Sequence, residues 1–440
     1  MNINGINPTL QNGRKTLYRT IWRWHFYAGL LCIPVIIILA VSGAVYLFKP
    51  QIDAWVDSDY RELTISGQRS SANQQIQAAM RALPAARFLS YQLPENERQA
   101  VIIQLQKDGK KIQVYVNPYT LDILKTIAYD DQFIRLVRSF HGELLAGNAG
   151  SIVVEMAACW AIVLIVTGLY LWWPRSAKGV AGILYPRLHK GGRIFWRDLH
   201  SVTGIWISAL TLFLLVSGLP WALVWGSAFK ELRQWNRDAI QQDWSLGRAQ
   251  EARDNAKNAT KQIKLDELVV IQAKSLNLAS PVIMSPSRKN PAIWTVKSMH
   301  QNRPLRSNAW LDAKTGKVLK LQSFQQRELL DRIVGIAVAA HEGQLFGWFN
   351  QLLGVVTALG LMVVSISAFV LWRRRKPDHE LGAPPIDANA KIGVGVVSIT
   401  LFLALFLPLL AISIVTIVIL EWALLRRCRA SREWLGLQES

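Results

Sequence analysis

The sequence predicts an α-helical membrane protein with two small α+β insertions, built as an internal parallel duplication of a two-helix unit. Three observations predict this fold class: long uncharged apolar stretches, strand-like alternation between them, and histidines and glycines that recur at fixed spacings. The chain has 440 residues, of which 51% are hydrophobic and 18 are Trp, a composition too apolar for a basic soluble protein. The net charge of +20 does not predict nucleic-acid binding, because the basic residues cluster beside the apolar stretches.

Five apolar stretches are long enough to cross a bilayer, because a spanning helix needs about 20 apolar residues. They are Phe26–Phe48, Ile152–Trp173, Val202–Trp225, Leu352–Trp372 and Ile392–Leu420. The predicted organisation is a cytoplasmic N-terminus (1–24), a first span (25–48), a periplasmic domain (49–150), a second span (151–173), a cytoplasmic loop (174–199), a third span (200–225), a second periplasmic domain (226–350), a fourth span (351–372), a cytoplasmic loop (373–391), a C-terminal apolar helix or hairpin (392–422) and a basic tail (423–440).

The basic residues orient the chain. They precede the first span, fill the loop between the second and third spans, and follow the fourth span, with Arg14, Arg19, Arg187, Arg193 and Arg373–Arg375 among them. The positive-inside rule places these segments in the cytoplasm. We therefore expect a multi-pass protein of the bacterial inner membrane with both insertions in the periplasm. The first apolar run is too long for a cleaved signal peptide and is expected to remain as an anchor.

The last apolar stretch contains Pro408 near its middle and is longer than one span requires. It could form one long tilted helix or two short helices hinged at the proline. The arginines that follow it favour a hairpin that returns to the cytoplasm. The stretch has no counterpart in the repeat, and we expect it to contribute packing.

Each insertion reads as one helix followed by alternating apolar strands and a turn, which predicts one small α+β unit each. The first contains the segments NQQIQAAMRAL and AVIIQLQKDGKKIQVYVNPYTLDIL, and the second contains LDELVVIQAKSL, AIWTVKSM and NAWLDAKTGKVLKL. Cys32, Cys159 and Cys428 are not placed to form a disulfide, so the insertions must fold on their cores alone. Basic residues outnumber acidic ones in the second insertion, which suits either an anionic ligand or a solvated surface.

Four histidines are in register across the duplication. His25 and His200 are each followed at equal offsets by a glycine and then by a Ser-Gly pair, Ser42-Gly43 in the first repeat. His141 and His341 precede the second and fourth spans and also share their following residues at equal offsets. We expect all four at helix ends, the first pair near the cytoplasmic surface and the second pair near the outer surface.

Two opposed imidazoles suit bis-histidine ligation of a haem iron. A zinc site would need three or four ligands, and neither pair has acidic or cysteine residues at matched spacing. A single interfacial histidine is commonly just a hydrogen-bonded residue, but four in register favour ligation. The sequence therefore predicts two b-type haems, one held by His25 and His200 and the other by His141 and His341.

Other polar residues near the spans admit more than one interpretation. Arg23 and Arg197 lie beside the inner histidines and could pair with haem propionates or with lipid headgroups. Glu155 could be a proton or metal group, or a carboxylate hydrogen-bonded to a neighbouring helix. Three histidines outside the repeat are expected to be ordinary surface residues: His189, His300 and His379.

The histidine starts and the hairpin turns carry a resemblance to a known family. The segments Trp22–His25 and Trp196–His200, with the turns Asn117–Leu121 and Asp312–Gly316, resemble those of the PepSY-associated transmembrane proteins. Family turns often read D-P-x-T-G, and here the first turn lacks the glycine and the second lacks the proline. The resemblance implies a haem-containing inner-membrane protein that reduces ferric siderophores. The chain has no G-x-G-x-x-G fingerprint, so a separate donor, a flavoprotein or a quinol, would be needed.

The expected function is thus electron transfer from the cytoplasmic side or the quinol pool to a periplasmic acceptor, a ferric siderophore. Electron transfer at a haem edge requires no general acid or nucleophile, so no catalytic side chain is assigned. Two alternatives stay open. One is a PepSY-domain membrane-anchored binding or regulatory protein without redox activity, and the other is a metal or siderophore transporter.

Overall fold

The computed structural model describes residues 8–174, 179–234, 264–287, 290–384 and 393–437. The chain divides into two compact units. The helical unit comprises Met1–Ala44, Phe140–Asn236 and Val355–Ser440, and the sheet unit comprises Val45–Ser139 and Arg237–Gly354.

Helices make up most of the described chain. They are α1 (Pro8–Leu47), α2 (Lys49–Val56), α3 (Ala72–Ala82), α4 (Phe133–Glu143), α5 (Gly147–Trp172), α6 (Gly192–Gly218), α7 (Val224–Gln234), α8 (Glu267–Ser275), α9 (Leu329–His341), α10 (Trp348–Arg375), α11 (Val394–Phe406), α12 (Pro408–Leu420) and α13 (Arg429–Leu435). Five segments are long and apolar enough to cross a membrane: Thr16–Leu47, Gly147–Trp172, Gly192–Trp221, Trp348–Arg375 and Pro408–Leu425. The protein is therefore a membrane protein.

The first and third spans begin earlier than predicted. His25 lies 17 residues after the start of α1, and His200 lies eight residues after the start of α6. The expectation that these two histidines occupy helix ends is therefore wrong. Hydropathy marks where an apolar window begins, but a helix continues through polar residues until a breaker stops it. Residues 15–24 contain no Gly or Pro, and Pro34 lies inside α1 without ending it.

The last apolar stretch forms two helices. The break falls at Leu407, and Pro408 occupies the first turn of α12. Proline is tolerated there because the first N–H groups of a helix have no partner within the helix. The structure thus has the hinged alternative, and not one continuous helix.

The two insertions contribute to one sheet and not to two separate ones. The strands are β1 (Arg87–Leu93), β2 (Val101–Lys107), β3 (Lys110–Val116), β4 (Ile123–Ala128), β5 (Val282–Pro286), β6 (Ile293–Ser298), β7 (Ser307–Asp312) and β8 (Val318–Ser323). All neighbouring pairs are antiparallel, in the order β4-β3-β2-β1-β5-β6-β7-β8. The halves join where Tyr91 pairs with Met284. Joining satisfies the backbone groups of two strands that would otherwise be exposed edges.

The larger of two hydrophobic cores in the described part of the sheet unit spans both insertions. It combines residues of both insertions, and its fully buried members include Ile76, Phe88, Ile103, Val269, Met284 and Trp294. The helices α3 and α8 supply one face of this core. Ser71 caps α3 and Asp266 caps α8 by accepting backbone N–H bonds, so each helix starts where its cap dictates.

The two hairpin turns share one geometry despite their different sequences. Asn117 and Asp312 each accept two backbone N–H bonds from the residues that follow. The fifth position is left-handed in both, with φ of 65° at Leu121 and 69° at Gly316. Hydrogen bonds from Thr315 hold the pKa of the Asp312 carboxyl below its usual range. A leucine thus takes the strained backbone position where the family pattern has glycine.

Candidate functional site

His25 and His200 meet within the helical unit, as the register of the repeat predicts. Their ring centroids are 6.3 Å apart and their planes cross at 85°. With metal–imidazole bonds of about 2 Å and the ring radii added, two opposed ligands would have centroids roughly 6 Å apart. The observed separation would suit two imidazoles that bind one metal ion, although an edge-to-face aromatic pair has similar dimensions.

The hydrogen bond of His25 fixes its tautomer. Its Nδ1 lies 2.9 Å from the Thr167 hydroxyl, which itself lies 2.7 Å from the Val163 carbonyl oxygen. Because the carbonyl can only accept, the hydroxyl donates to it and accepts from His25 Nδ1–H. The lone pair of His25 Nε2 is then available to bind a metal.

His200 has the same tautomer as His25, but a different group accepts its hydrogen bond. Its Nδ1 lies 3.0 Å from the Val364 carbonyl oxygen, which can only accept, so Nδ1 carries the proton. A metal-bound histidine characteristically donates its second ring N–H to such a partner, which orients the ring and raises its basicity. Both inner histidines therefore have the tautomer that an iron ligand needs.

Glycines leave space beside this pair. A Cβ added at Gly168 would lie 3.3 Å from His25 Cε1, so a larger residue would press on the imidazole. A Cβ added at Gly204, one turn after His200, would meet no atom within 4 Å. The two available Nε2 lone pairs are the donor set of a bis-histidine-ligated iron, and no atom lies within 4 Å of a Cβ placed at Gly204. No group of three or more His, Cys, Asp or Glu residues in the described ranges could hold a metal ion, so that part of the chain offers no zinc donor set.

His141 is held by the same arrangement as His25. Its Nδ1 lies 3.0 Å from the Ser42 hydroxyl, which lies 2.6 Å from the Ile38 carbonyl oxygen. A Cβ at Gly43 would lie 3.1 Å from His141 Cε1. A hydroxyl residue followed by glycine thus orients one histidine in each case. The sequence reveals Ser42-Gly43 by its spacing but not its role, and Thr167-Gly168 was missed.

His341 is the last residue of α9 and belongs to the sheet unit, whereas His141 belongs to the helical unit. Both precede a span on a separate helix, as expected. Their pairing as ligands of one haem stays a prediction.

Arg23 is buried and bound to the C-terminal part of the chain. Its guanidinium donates to the carbonyl oxygens of Pro384 (2.6 Å), Leu435 (3.0 Å) and Gly436 (3.1 Å). Tyr27 also donates to Leu435 O at 2.6 Å. Because Leu435 ends α13, Arg23 caps the carbonyl end of that helix. A propionate would have to share Arg23 with these carbonyls, and that role stays a prediction.

Arg197 pairs with a fully buried carboxylate two residues before His200. Asp198 accepts from Arg197 Nη2 at 2.8 Å and from Arg187 Nε at 2.6 Å. The ion pair fixes the loop before α6 against the helix that carries His200. Arg197 remains more than half exposed, so a further anionic partner has access to it.

Glu155 is a helix cap. It is 3% exposed and accepts from the backbone N–H groups of Val224 (2.8 Å) and Trp225 (2.9 Å), at the start of α7. The interpretation as a carboxylate bonded to a neighbouring helix is therefore confirmed. A negative charge is favourable at a helix N-terminus.

Within the described structure, the other three histidines are not part of either histidine pair. His189 and His379 are exposed. His300 is partly buried, and its Nδ1 accepts the backbone N–H of Asn302 at 3.0 Å.

Residues 22–375 match the PepSY-associated TM region family. This range covers most of the chain and contains all four histidines of the repeat. The protein belongs to that family. Among curated proteins, none matches the chain significantly.

Proposed function

We propose that the protein is a di-haem electron-transfer protein of the inner membrane that reduces a periplasmic acceptor. One observation carries the proposal: His25 and His200 lie 6.3 Å apart with both Nδ1 atoms occupied by acceptors. Membership of a PepSY membrane family supports the coarser statement, that of a membrane protein with this architecture.

A bound haem would supply one-electron chemistry. The chain's own residues would hold and orient it. Thr167 and Val364 O would keep the inner imidazoles in the binding tautomer, and the absence of a side chain at Gly204 would leave the space one turn after His200 open. The apolar surfaces of the surrounding span helices would exclude water, which lowers the local dielectric constant.

The repeat in the sequence assigns the second haem to His141 and His341, with Ser42 orienting His141. We also propose that the fold is a parallel duplication of a two-helix unit, so that each unit contributes one histidine to each haem. Two haems, one toward each face of a hydrocarbon core of about 30 Å, would let electrons cross the bilayer within one protein.

We propose a ferric siderophore as the acceptor and a separate flavoprotein or quinol as the donor. The donor gives up one electron for each Fe(III) that is reduced to Fe(II). Hard oxygen ligands hold Fe(II) less strongly, so reduction would loosen the iron. The protein would then act as a haem-dependent ferric siderophore reductase, with the sheet unit on the periplasmic side.

Visible absorption of the detergent-purified protein, oxidised and then reduced with dithionite, tests the proposal together with a pyridine haemochrome count. Low-spin b-type bands at about two haems per chain are expected from two histidine pairs. The variants His25→Ala and His200→Ala should each lose one haem and acceptor reduction, whereas the exposed His189→Ala should lose neither. A colourless protein from haem-supplied cells would overturn the proposal.

A second candidate function is that of a membrane-anchored binding or regulatory protein without redox activity. The continuous eight-stranded sheet supports it, because the sheet could serve as a binding surface. Such a protein would be colourless and would retain its function in His25→Ala. A metal or siderophore transporter would instead show metal uptake without a change of redox state.

A further inference from the structure

The helix α9 exposes an apolar stripe. Leu329, Ile333 and Ile336 are 69%, 55% and 41% exposed, and their spacing places them on one face of the helix. The opposite face is buried, with Val338 at 4% and Ala339 at 0%. A helix with one face packed and the other apolar face open requires a further apolar neighbour.

The C-terminal end of α9 is fixed to the first turn of α10. The Asn350 side chain donates to Ala340 O at 2.9 Å and accepts from Leu345 N at 3.0 Å. Asn350 is only 7% exposed, so these bonds are shielded from water. The end of α9 therefore stays at the level where α10, a candidate membrane span, begins.

A second set of hydrogen bonds, also within the sheet unit, joins the end of α1 to the α9–α10 loop and to the first turn of α10. Gln344 and Gln351 both donate to the carbonyl oxygen of Leu47, at 2.9 Å and 3.0 Å. Leu47 is the last residue of α1. The carbonyl groups of the last turn of a helix have no hydrogen-bond partner within that helix. One end of each of two candidate spans, α1 and α10, therefore lies beside the C-terminal end of α9.

Exposed aromatic residues lie in the α9–α10 loop, at the start of α10 and on α2. Phe346, Trp348 and Phe349 are 64%, 75% and 50% exposed, and Trp55 on α2 is 78% exposed. Trp is enriched at the membrane–water boundary because its ring is apolar and its N–H can contact water, whereas Phe346 and Phe349 add apolar surface beside it. The stripe on α9 is continuous along the chain with these aromatic residues through a six-residue loop.

We propose that α9 is an interfacial helix, which lies in the boundary between headgroups and acyl chains and buries Leu329, Ile333 and Ile336 in lipid. The partner is the phospholipid bilayer, because the surface adjoins two span ends and carries an aromatic border. His341 ends α9, so the lipid contact would set the depth of this histidine. The proposal does not depend on haem binding.

Nitroxide spin labels test the proposal in the full chain, reconstituted in vesicles of phosphatidylethanolamine and phosphatidylglycerol. Ile333→Cys and Ile336→Cys would be labelled in a Cys428→Ser background, which removes the exposed cysteine. Lys317→Cys, an exposed position in the β7–β8 turn, is the matched control. Power saturation should show that oxygen reaches labels 333 and 336 better than a water-soluble nickel chelate, with the opposite preference at 317.

Equal access of the nickel chelate to labels 333 and 317 would overturn the proposal. Exclusion of both reagents from labels 333 and 336 would also overturn it, because a protein partner or second copy would then cover the stripe. If Ile333→Cys does not fold, Leu329→Cys on the same stripe gives the same decision.

Discussion

At the scale of single residues, the ring orientation of His25, His141 and His200 depends on the group that accepts the hydrogen bond from Nδ1–H. The repeat in the sequence locates the histidines themselves, because the residues that follow each of them recur at equal offsets. Thr167 could not be found this way, since it contacts His25 across 142 positions of the chain. The recurrence of a hydroxyl followed by glycine at Ser42-Gly43 and Thr167-Gly168 is the signal that could have revealed it.

Thr167→Val should weaken haem binding at the inner site by about 10–100-fold, the usual cost of removing a partner of a metal-bound histidine. Valine keeps the shape of threonine but cannot accept a hydrogen bond from His25 Nδ1–H. The haem midpoint potential should also rise, because the imidazole becomes a poorer electron donor. Haem titration and a redox titration measure both effects.

Thr416→Val is the control for this substitution, because the Thr416 hydroxyl is exposed and bonds only within its own helix in the described structure. Unchanged haem affinity and potential in Thr167→Val would show that the threonine does not orient an iron ligand.

At the scale of elements, the sequence predicted the spans and the alternating strands, but not their bounds or the pairing between the two insertions. The apolar windows locate the spans, but the start of α6 depends on Gly191 and Gly192, both with positive φ. The pairing of β1 with β5 joins Tyr91 to Met284 across a long connection. Local alternation assigns faces to strands but contains no information on which distant edge a strand meets.

Glu155→Leu should destabilise the protein, since it leaves two backbone N–H groups at the start of α7 unsatisfied at a cost of about 1–3 kcal/mol each. Glu155→Gln retains an acceptor oxygen and should lose less. Thermal unfolding in detergent compares the two variants, with Met156→Leu as a volume-conserving control. Equal melting temperatures for Glu155→Leu and Glu155→Gln would contradict the capping role.

Met284→Ala should cost about 2–5 kcal/mol of unfolding free energy, because Met284 is fully buried in the core of the sheet unit. Leu319→Ala, at a half-exposed position in β8, should cost far less. Hydrogen exchange should show lost protection in β1 as well as in β5, since both strands share one core. Loss confined to β5–β8 would mean that the two insertions fold independently.

At the scale of the whole molecule, the distribution of basic residues predicts the sidedness of the chain. An alkaline phosphatase reporter inserted at Gly109, in the turn between β2 and β3, should be active because that turn would be periplasmic. The same reporter at Lys190, between α5 and α6, should be inactive, whereas a fluorescent protein there should fold and emit. The reverse pattern would invert the proposed orientation and with it the direction of electron transfer.

The clamp between Arg23 and the carbonyls of Leu435 and Gly436 constrains the order in which the protein can mature. These partners are separated by 412 and 413 positions. At roughly 5–20 residues per second, the ribosome needs on the order of 20–80 s to make the chain between them. Throughout that interval the guanidinium on α1 lacks these acceptors, so α1 reaches its final surroundings only after the chain through α13 has been made.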